Sequence, residues 1–149
     1  MIHPVDPLYQ IVWSTRPLLA QIEAAVEANL PNGMTVRMRA TLEALQDGPA
    51  TVPNIARRLY IKRQYVQLMV NEAIKDGFAE ARANPAHTKS KLIFLTKNGE
   101  KTISAIRAKE ITHLGAIGHD LSSNEIEAAQ KVVMTLLAGF TALNESREK

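Results

Sequence analysis

The chain has 149 residues, of which 46% are hydrophobic and 22% are charged, proportions typical of one soluble globular domain. It contains no cysteine, which excludes disulfide scaffolds, thiolate zinc sites, cysteine nucleophiles and thiol redox sensing. Its longest apolar runs have four or five residues, and the first residues, Met1–Asp6, show no basic segment before an apolar one. We therefore expect no membrane span, no secretory signal and a cytoplasmic location.

The positive charge is concentrated in the middle of the chain. The whole sequence carries a net charge of +3, but residues 51–109 hold 12 basic and 4 acidic residues. Residues 1–50 and 110–149 both have more acidic than basic residues. A block of one sign favours a polyanionic partner over an ordinary solvated surface, on which both signs would be mixed.

Apolar residues at helical spacing predict two helices in the first third of the chain. The first runs from Pro17 to Leu30, and the segment around Tyr9 and Trp13 could form a short separate helix, since Pro17 would break or kink a continuous one. The second runs from about residue 35 to 46 and stops where glycine and proline follow in residues 47–49.

Two further helices adjoin each other in the basic block. Thr51 caps the first, with Pro53 in its first turn, and the second spans residues 62–75 and ends at residues 76–77, Asp-Gly. The second helix carries an apolar stripe made by Val66, Met69, Val70, Ala73 and Ile74.

The remaining pattern predicts a β-hairpin and two long helices. The strands are 78–82 and 92–95, and the polar tip between them is basic. Thr96 caps the next helix, and Ser122 with Glu125 forms a capping box that opens the last one. The fold class is thus mainly α with a small β-hairpin wing, a winged helix-turn-helix at residues 34–96 flanked by terminal helices.

The second helix of the pair has the features of a recognition helix. At 100° per residue, the side opposite its apolar stripe carries Gln64, Leu68, Asn71 and Lys75. The amides of Gln64 and Asn71 suit adenine, and Arg63 could reach guanine or a phosphate. Leu68 could contact a thymine methyl group or pack against a neighbouring loop or the partner strand, and both alternatives stay open.

Residues outside this helix complete the predicted DNA interface. One of Arg57 and Arg58 should meet a phosphate and the other the solvent. The hairpin tip suits an adjacent minor groove or a phosphate, with a mobile solvated loop as the alternative. The predicted DNA-binding residues are Arg57, Arg58, Lys62, Arg63, Gln64, Tyr65, Gln67, Leu68, Asn71, Lys75, His87, Thr88, Lys89 and Lys91.

The sequence resembles the MarR family of bacterial winged-helix transcriptional regulators. The resemblance rests on residues 51–59 and 63–67, on Asp76-Gly77-Phe78, on the tip Asn84-Pro85-Ala86-His87 and on residues 95–99, Leu-Thr-Lys-Asn-Gly. Most relatives have Asp-x-Arg at the wing tip, where this chain has His87-Thr88-Lys89; a branch of the family with Asn-Pro-Ala-His is the nearer match. Lys89 keeps the positive charge but lacks the planar fork of arginine.

The resemblance implies a single MarR-like domain, residues 1–149, which forms a homodimer through helices at about residues 5–30 and 100–145. It also implies a repressor that reads a pseudo-palindromic operator and whose DNA affinity a small ligand modulates. Tyr9, Trp13, Arg37 and Arg39 could line a cleft for a small aromatic or anionic effector. Alternatively, the aromatic residues anchor the dimer core and the arginines are solvated.

No enzymatic constellation is visible in the sequence. His113 and His119 are six residues apart, about 240° around a helix, so they do not share a face as paired metal ligands would. Neither a phosphate-binding glycine loop nor a nucleophile elbow occurs, and we expect no enzyme, no cofactor and no metal. The alternative function is a winged-helix protein-interaction adaptor without operator binding, which competition by duplex DNA would distinguish.

Overall fold

The computed structural model describes residues 6–148, and that part of the chain contains six helices and one two-stranded antiparallel sheet. Residues 1–5, which include His3 and the start of the predicted dimerisation segment, and residue 149 lie outside it. The chain forms two compact units, one ending at Glu110 and the other beginning at Ile111. The elements are α1 (Pro7–Asn29), α2 (Val36–Ala44), α3 (Val52–Leu59), α4 (Arg63–Lys75), β1 (Ala79–Arg82), β2 (Leu92–Leu95), α5 (Lys97–Ile117) and α6 (Ser123–Glu145).

Helix α1 is continuous, so the predicted break at Pro17 is wrong. The Asp6 side chain caps the helix by accepting a hydrogen bond of 2.9 Å from the backbone N–H of Leu8. Pro7 occupies the first turn, where its missing N–H costs nothing. Pro17 removes one backbone donor within the helix, and the helical turns on both sides of it persist.

Both α2 and α3 begin with a threonine cap, of which the sequence predicts the one at Thr51. Thr35 accepts from the N–H of Met38 at 3.1 Å, and Thr51 accepts from the N–H of Asn54 at 3.3 Å. Each hydroxyl satisfies a backbone donor that the first turn of a helix leaves unpaired. The turn between the two helices includes Gly48 with a φ of 141°, a conformation that side chains rarely allow.

The turn between α3 and α4 contains a left-handed residue that is not glycine. Tyr60 has a φ of 54°, and the backbone N–H of Ile61 donates to the carbonyl of Ala56 at 3.1 Å. This is a helix-ending motif that usually places glycine in the left-handed position. A tyrosine in this left-handed conformation has a higher backbone energy than a glycine would have, and the turn still connects α3 to α4.

The core of the first unit lies among α2, α3, α4, α5 and the hairpin. Ile74, predicted on the apolar stripe of α4, is instead 36% exposed. At 100° per residue it lies about 80° from Val66, at the edge of the stripe. The fully buried apolar side chains with the largest volumes are Leu42, Ile55, Val66, Val70 and Ile103.

The hairpin is joined to α5 by a compact set of backbone contacts. The Thr96 hydroxyl donates to the carbonyl of Gly77 at 2.6 Å and accepts from the N–H of Gly99 at 3.0 Å. The Thr96 N–H donates to the carbonyl of Phe78 at 3.0 Å. A Cβ on Gly99 would lie 2.0 Å from that same Phe78 oxygen. The Leu-Thr-x-x-Gly pattern is therefore a junction in which threonine caps the helix and glycine allows the close approach.

In the second unit, α6 begins with the predicted capping box. The Ser122 hydroxyl accepts from the N–H of Glu125, and the Glu125 carboxylate accepts from the N–H of Ser122 at 2.8 Å. The bond from the Ser122 backbone lowers the pKa of Glu125. No described residue of α6 is buried.

Among residues 6–148, α6 is also the one helix whose length and composition alone would suffice to cross a membrane. Its apolar residues do not surround the helix, however. By helical spacing most of its large apolar residues follow one side, with Met134 as an exception, and the opposite side carries Asn124, Lys131 and Thr135. This one-sided pattern is typical of a helix that pairs with another protein surface.

Candidate nucleic-acid interface

Helix α4 presents to solvent the face that its sequence pattern indicates. Val66 and Val70 are buried, whereas Gln64, Asn71 and Lys75 are exposed. Leu68 is 60% exposed, so it does not pack against a neighbouring loop in the described chain. The polar face of α4 is thus free to contact a ligand, with one apolar side chain in its middle.

A cleft of about 650 Å³ separates α4 from the hairpin. Helix α4 and the hairpin, distant in sequence, contribute to the same surface, and the first turn of α3 also lines it. Its lining combines apolar side chains with polar and cationic ones. The lining residues are Val52, Pro53, Arg63, Gln64, Gln67, Val70, Asn71, Ile74, Ala81, Lys89, Ser90, Lys91 and Ile93.

Seven of these lining residues are not among the predicted DNA-binding residues, including Val52, Pro53 and Ile74. Val52 and Pro53 were interpreted only as the start of a helix, and Ile74 only as core. The position of Val52 and Pro53 in the first turn of the helix that precedes the predicted recognition helix was a signal for these two residues. The apolar character of all three gave no indication of a ligand.

The amide of Asn71 is oriented by its neighbour one turn earlier. Gln67 Nε2 donates to Asn71 Oδ1 at 2.9 Å. The bond leaves the Asn71 amide N–H groups unused and its oxygen with a second lone pair. Asn71 can therefore donate and accept at the same time, as a bidentate contact with adenine requires.

The two arginines of α3 have different surroundings. Arg58 Nη1 donates to the backbone carbonyl of Ala44 at 2.7 Å, at the end of α2, where it satisfies an otherwise unpaired carbonyl. Arg57 contacts the side-chain oxygen of Asn54. Arg57 contacts only a side chain of its own helix, whereas the Arg58 guanidinium is already bonded to α2, so Arg57 is the better candidate for a phosphate contact.

The hairpin tip is organised by asparagine. Asn84 Oδ1 accepts from the N–H of Ala86 at 3.0 Å, and its backbone carbonyl accepts from the N–H of His87 at 3.2 Å. These two bonds form a local turn of the type that asparagine favours. The turn explains the Asn-Pro-Ala-His tip and precedes Thr88 and Lys89, which are exposed.

The four residues predicted to line an effector cleft are not equivalent. The rings of Tyr9 and Trp13 lie 6.4 Å apart at 60°, and both are exposed on α1. Arg37 is exposed on α2, but Arg39 Nε donates to Glu110 at 2.9 Å, and its Nη2 lies 3.4 Å from Glu43. Arg39 thus belongs to an ion-pair network between α2 and α5.

This network raises the pKa of Arg39, chiefly through the hydrogen bonds to Glu110 and against the opposing effect of desolvation. Arg107 extends the network, with its Nε 3.7 Å from Glu43. Arg39 is therefore not a free cation for an effector, and the effector prediction depends on Arg37 and the two rings.

Within residues 6–148 no group of three histidine or acidic side chains could hold a metal ion. His119 instead lies 3.2 Å from Asp120 and contacts the carbonyl of Ala116 with its other ring nitrogen.

Known proteins similar to this chain in sequence and structure include solved transcription regulators. No family model matches the chain. The crystal structure of the MarR family transcription regulator SP03579 is 42% identical, with a TM-score of 0.81 and 96% of each chain covered. An uncharacterized protein of Mycobacterium tuberculosis is 32% identical over 101 residues, 68% of this chain and 71% of the relative. FabT of Streptococcus pneumoniae, crystallised in complex with DNA, is 16% identical and has the same fold, with a TM-score of 0.74 and coverage of 91% and 98%.

Proposed function

The chain belongs to the MarR family of transcription regulators, and we propose that it binds double-stranded DNA as a homodimer that reads a pseudo-palindromic operator. A regulator of this family is not an enzyme, in agreement with the lack of a catalytic constellation in the sequence. The DNA complex of FabT, which has the same fold, supports duplex DNA as the ligand.

The observation that carries the proposal is the cleft between α4 and the hairpin. A helix that enters the major groove and a hairpin that enters the adjacent minor groove must straddle the sugar–phosphate strand between those grooves. The cleft has that form, with Gln64 and Asn71 on the helix side and Lys89 and Lys91 on the hairpin side. The amides would read base edges, and the cations would neutralise phosphates.

The terminal helices provide the surface for a second copy. Large apolar side chains are exposed on α1, at the end of α5 and on α6, far more than a soluble monomer usually leaves in water. A two-fold axis would bury the same side chains on both copies and place two recognition helices about 34 Å apart, one turn of DNA. These side chains include Leu18, Leu19, Ile22, Leu114, Ile117, Ile126, Val133, Leu137 and Phe140.

A charge on the apolar side of α6 should break the homodimer. Phe140 is half exposed near the centre of that side, so Phe140→Glu would bury a carboxylate without a partner in the interface. We expect the variant to sediment as a monomer and to bind operator at least tenfold more weakly. Thr135→Glu adds the same charge to the opposite side and should remain dimeric. A dimeric Phe140→Glu protein would contradict this interface.

DNA binding should depend strongly on salt. Each neutralised phosphate contributes about −0.9 to the slope of log affinity against log salt concentration, and a dimer with several cations at each half-site sums these contributions. Fluorescence anisotropy with a labelled duplex between roughly 50 and 200 mM salt measures the slope. A flat response would contradict the proposed interface.

Selection of bound fragments from a random duplex pool tests the function directly. We expect enrichment of an inverted repeat whose half-sites are about one helical turn apart. If no sequence is enriched and duplex DNA fails to compete with protein partners, the chain acts instead as an interaction adaptor.

The proposed function includes repression of transcription that a small ligand relieves. The bound homodimer acts as a repressor, and a small ligand lowers its affinity by favouring a geometry in which the recognition helices no longer match the half-sites. The ligand can shift this equilibrium only by its difference in affinity for the two geometries. The exposed pair of Tyr9 and Trp13 supports an aromatic ligand.

A further inference from the structure

The two faces of the hairpin carry different chemistry. Strand residues alternate between faces, and Ala81 and Ile93, which are paired across the sheet, both line the cleft. Glu80, Arg82 and Phe94 therefore lie on the opposite face, where Glu80 pairs with Phe94 across the strands. This outer face takes no part in the cleft described above.

On the outer face, Arg82 is held in one orientation. Its guanidinium carbon lies 4.4 Å from the centroid of the Phe94 ring, a cation–π contact. The same guanidinium forms an ion pair with the Glu80 carboxylate, yet the Arg82 side chain remains 60% exposed. Arg82 is the last residue of β1, directly before the tip, and it is the only arginine in residues 79–95.

A hairpin in a minor groove has phosphates on both sides. The groove is about 6 Å wide, so each face of an inserted hairpin lies beside a different strand of the duplex. Lys89 and Lys91 line the cleft and therefore face the DNA strand that separates the major groove from the minor groove. The other DNA strand, on the far side of the minor groove, lies opposite the outer face of the hairpin, which carries Arg82.

We propose that Arg82 binds a backbone phosphate of this far strand, with Phe94 as its platform and Glu80 as the anion that occupies it in the free protein. This inference rests on the proposed function. A carboxylate and a phosphate offer a guanidinium the same pair of acceptor oxygens, so the ligand can replace Glu80 without reorienting Arg82. Arg82 is a positioning contact, because phosphates carry no sequence information.

Glu80 consequently opposes DNA binding. It competes for the guanidinium and repels the phosphate that replaces it. Two substitutions on the same face should therefore change affinity in opposite directions, a result that a merely structural ion pair would not give. Loss of a structural pair would weaken binding from either side.

The test uses the full-length protein and a labelled mixed-sequence duplex of about 30 base pairs, since phosphate contacts are independent of sequence. One phosphate contact with a slope of about −0.9 corresponds to roughly fivefold in affinity at 0.15 M salt. Arg82→Gln should bind about fivefold more weakly per protomer, roughly 25-fold for the homodimer, with a slope smaller by about 0.9 per protomer, whereas Arg82→Lys should keep the slope. Glu80→Gln should bind more tightly than the wild type. Lys101 is exposed on α5, so Lys101→Gln removes the same charge as a control and should leave the slope unchanged.

The outcomes separate the two proposals. If the wild type does not bind duplex DNA at low salt, the proposed function fails. If the wild type binds and Arg82→Gln behaves like Lys101→Gln, the function stands and the role of Arg82 is overturned. Circular dichroism melts verify folding, and if Arg82→Gln does not fold, Glu80→Gln decides: unchanged or weaker binding overturns the inference.

Discussion

An alanine at position 99 is expected to lower the free energy of unfolding by about 3 kcal/mol, within the range of overpacking substitutions. The added Cβ would lie 2.0 Å from the carbonyl oxygen of Phe78, and no real pair of such atoms approaches so closely. The oxygen belongs to the backbone and accepts from the N–H of Thr96, so it cannot turn aside as a flexible side chain would. Urea denaturation followed by circular dichroism measures the loss.

Gly115→Ala is the matched control in the same helix. A Cβ there meets nothing within 4 Å, and replacing glycine by alanine within a helix usually stabilises it by about 1 kcal/mol. The two variants should therefore shift the denaturation midpoint in opposite directions. A neutral Gly99→Ala variant would show that the junction between hairpin and α5 can open without cost.

Gln64→Ala and Asn71→Ala should each relax the choice of operator. A bidentate amide–adenine contact contributes about 1–3 kcal/mol of discrimination, so each variant should lose roughly tenfold or more of its preference for the selected operator over a site mutated at one base pair. The measurement is anisotropy on both duplexes for each variant. Gln67→Ala should give a smaller loss, because it removes only the hydrogen bond that orients Asn71.

Arg57→Ala provides the comparison for these variants. Arg57 is a phosphate candidate, so its removal should weaken binding to both duplexes by the same factor and reduce the salt slope. An equal loss of discrimination from Gln64→Ala, Asn71→Ala and Arg57→Ala would contradict the distinction between base-reading amides and a phosphate-binding arginine.

Local signals in the sequence predicted the architecture well. Thr51 and Ser122 cap helices as expected, because a capping hydroxyl needs only the next three residues to form its bond. The predicted strands agree with β1 and β2 to within one residue, since a basic tip separates two short segments rich in apolar residues. The exposed face of α4 followed from its period alone.

Features that depend on distant residues could not be predicted in this way. Arg39 and Glu110 are 71 positions apart, and only the fold shows that they pair. Likewise, nothing in the sequence indicates that Arg58 donates to a carbonyl 14 residues earlier. The predicted break at Pro17 is wrong for a related reason. The sequence shows the local energetic cost of a proline within a helix, but it does not show that the helical turns on both sides persist.

No described residue of α6 is buried within the single chain, so in the proposed homodimer the stability of this helix depends on the protein concentration. In that homodimer, the apolar side of α6 is covered only by the second copy and loses that cover on dilution, so the melting temperature of the protein should rise with protein concentration. Below the dissociation constant of the dimer, the cell would hold chains with intact winged units but no means of spanning two half-sites. Control of transcription by this protein would then set in over a narrow range of copy number.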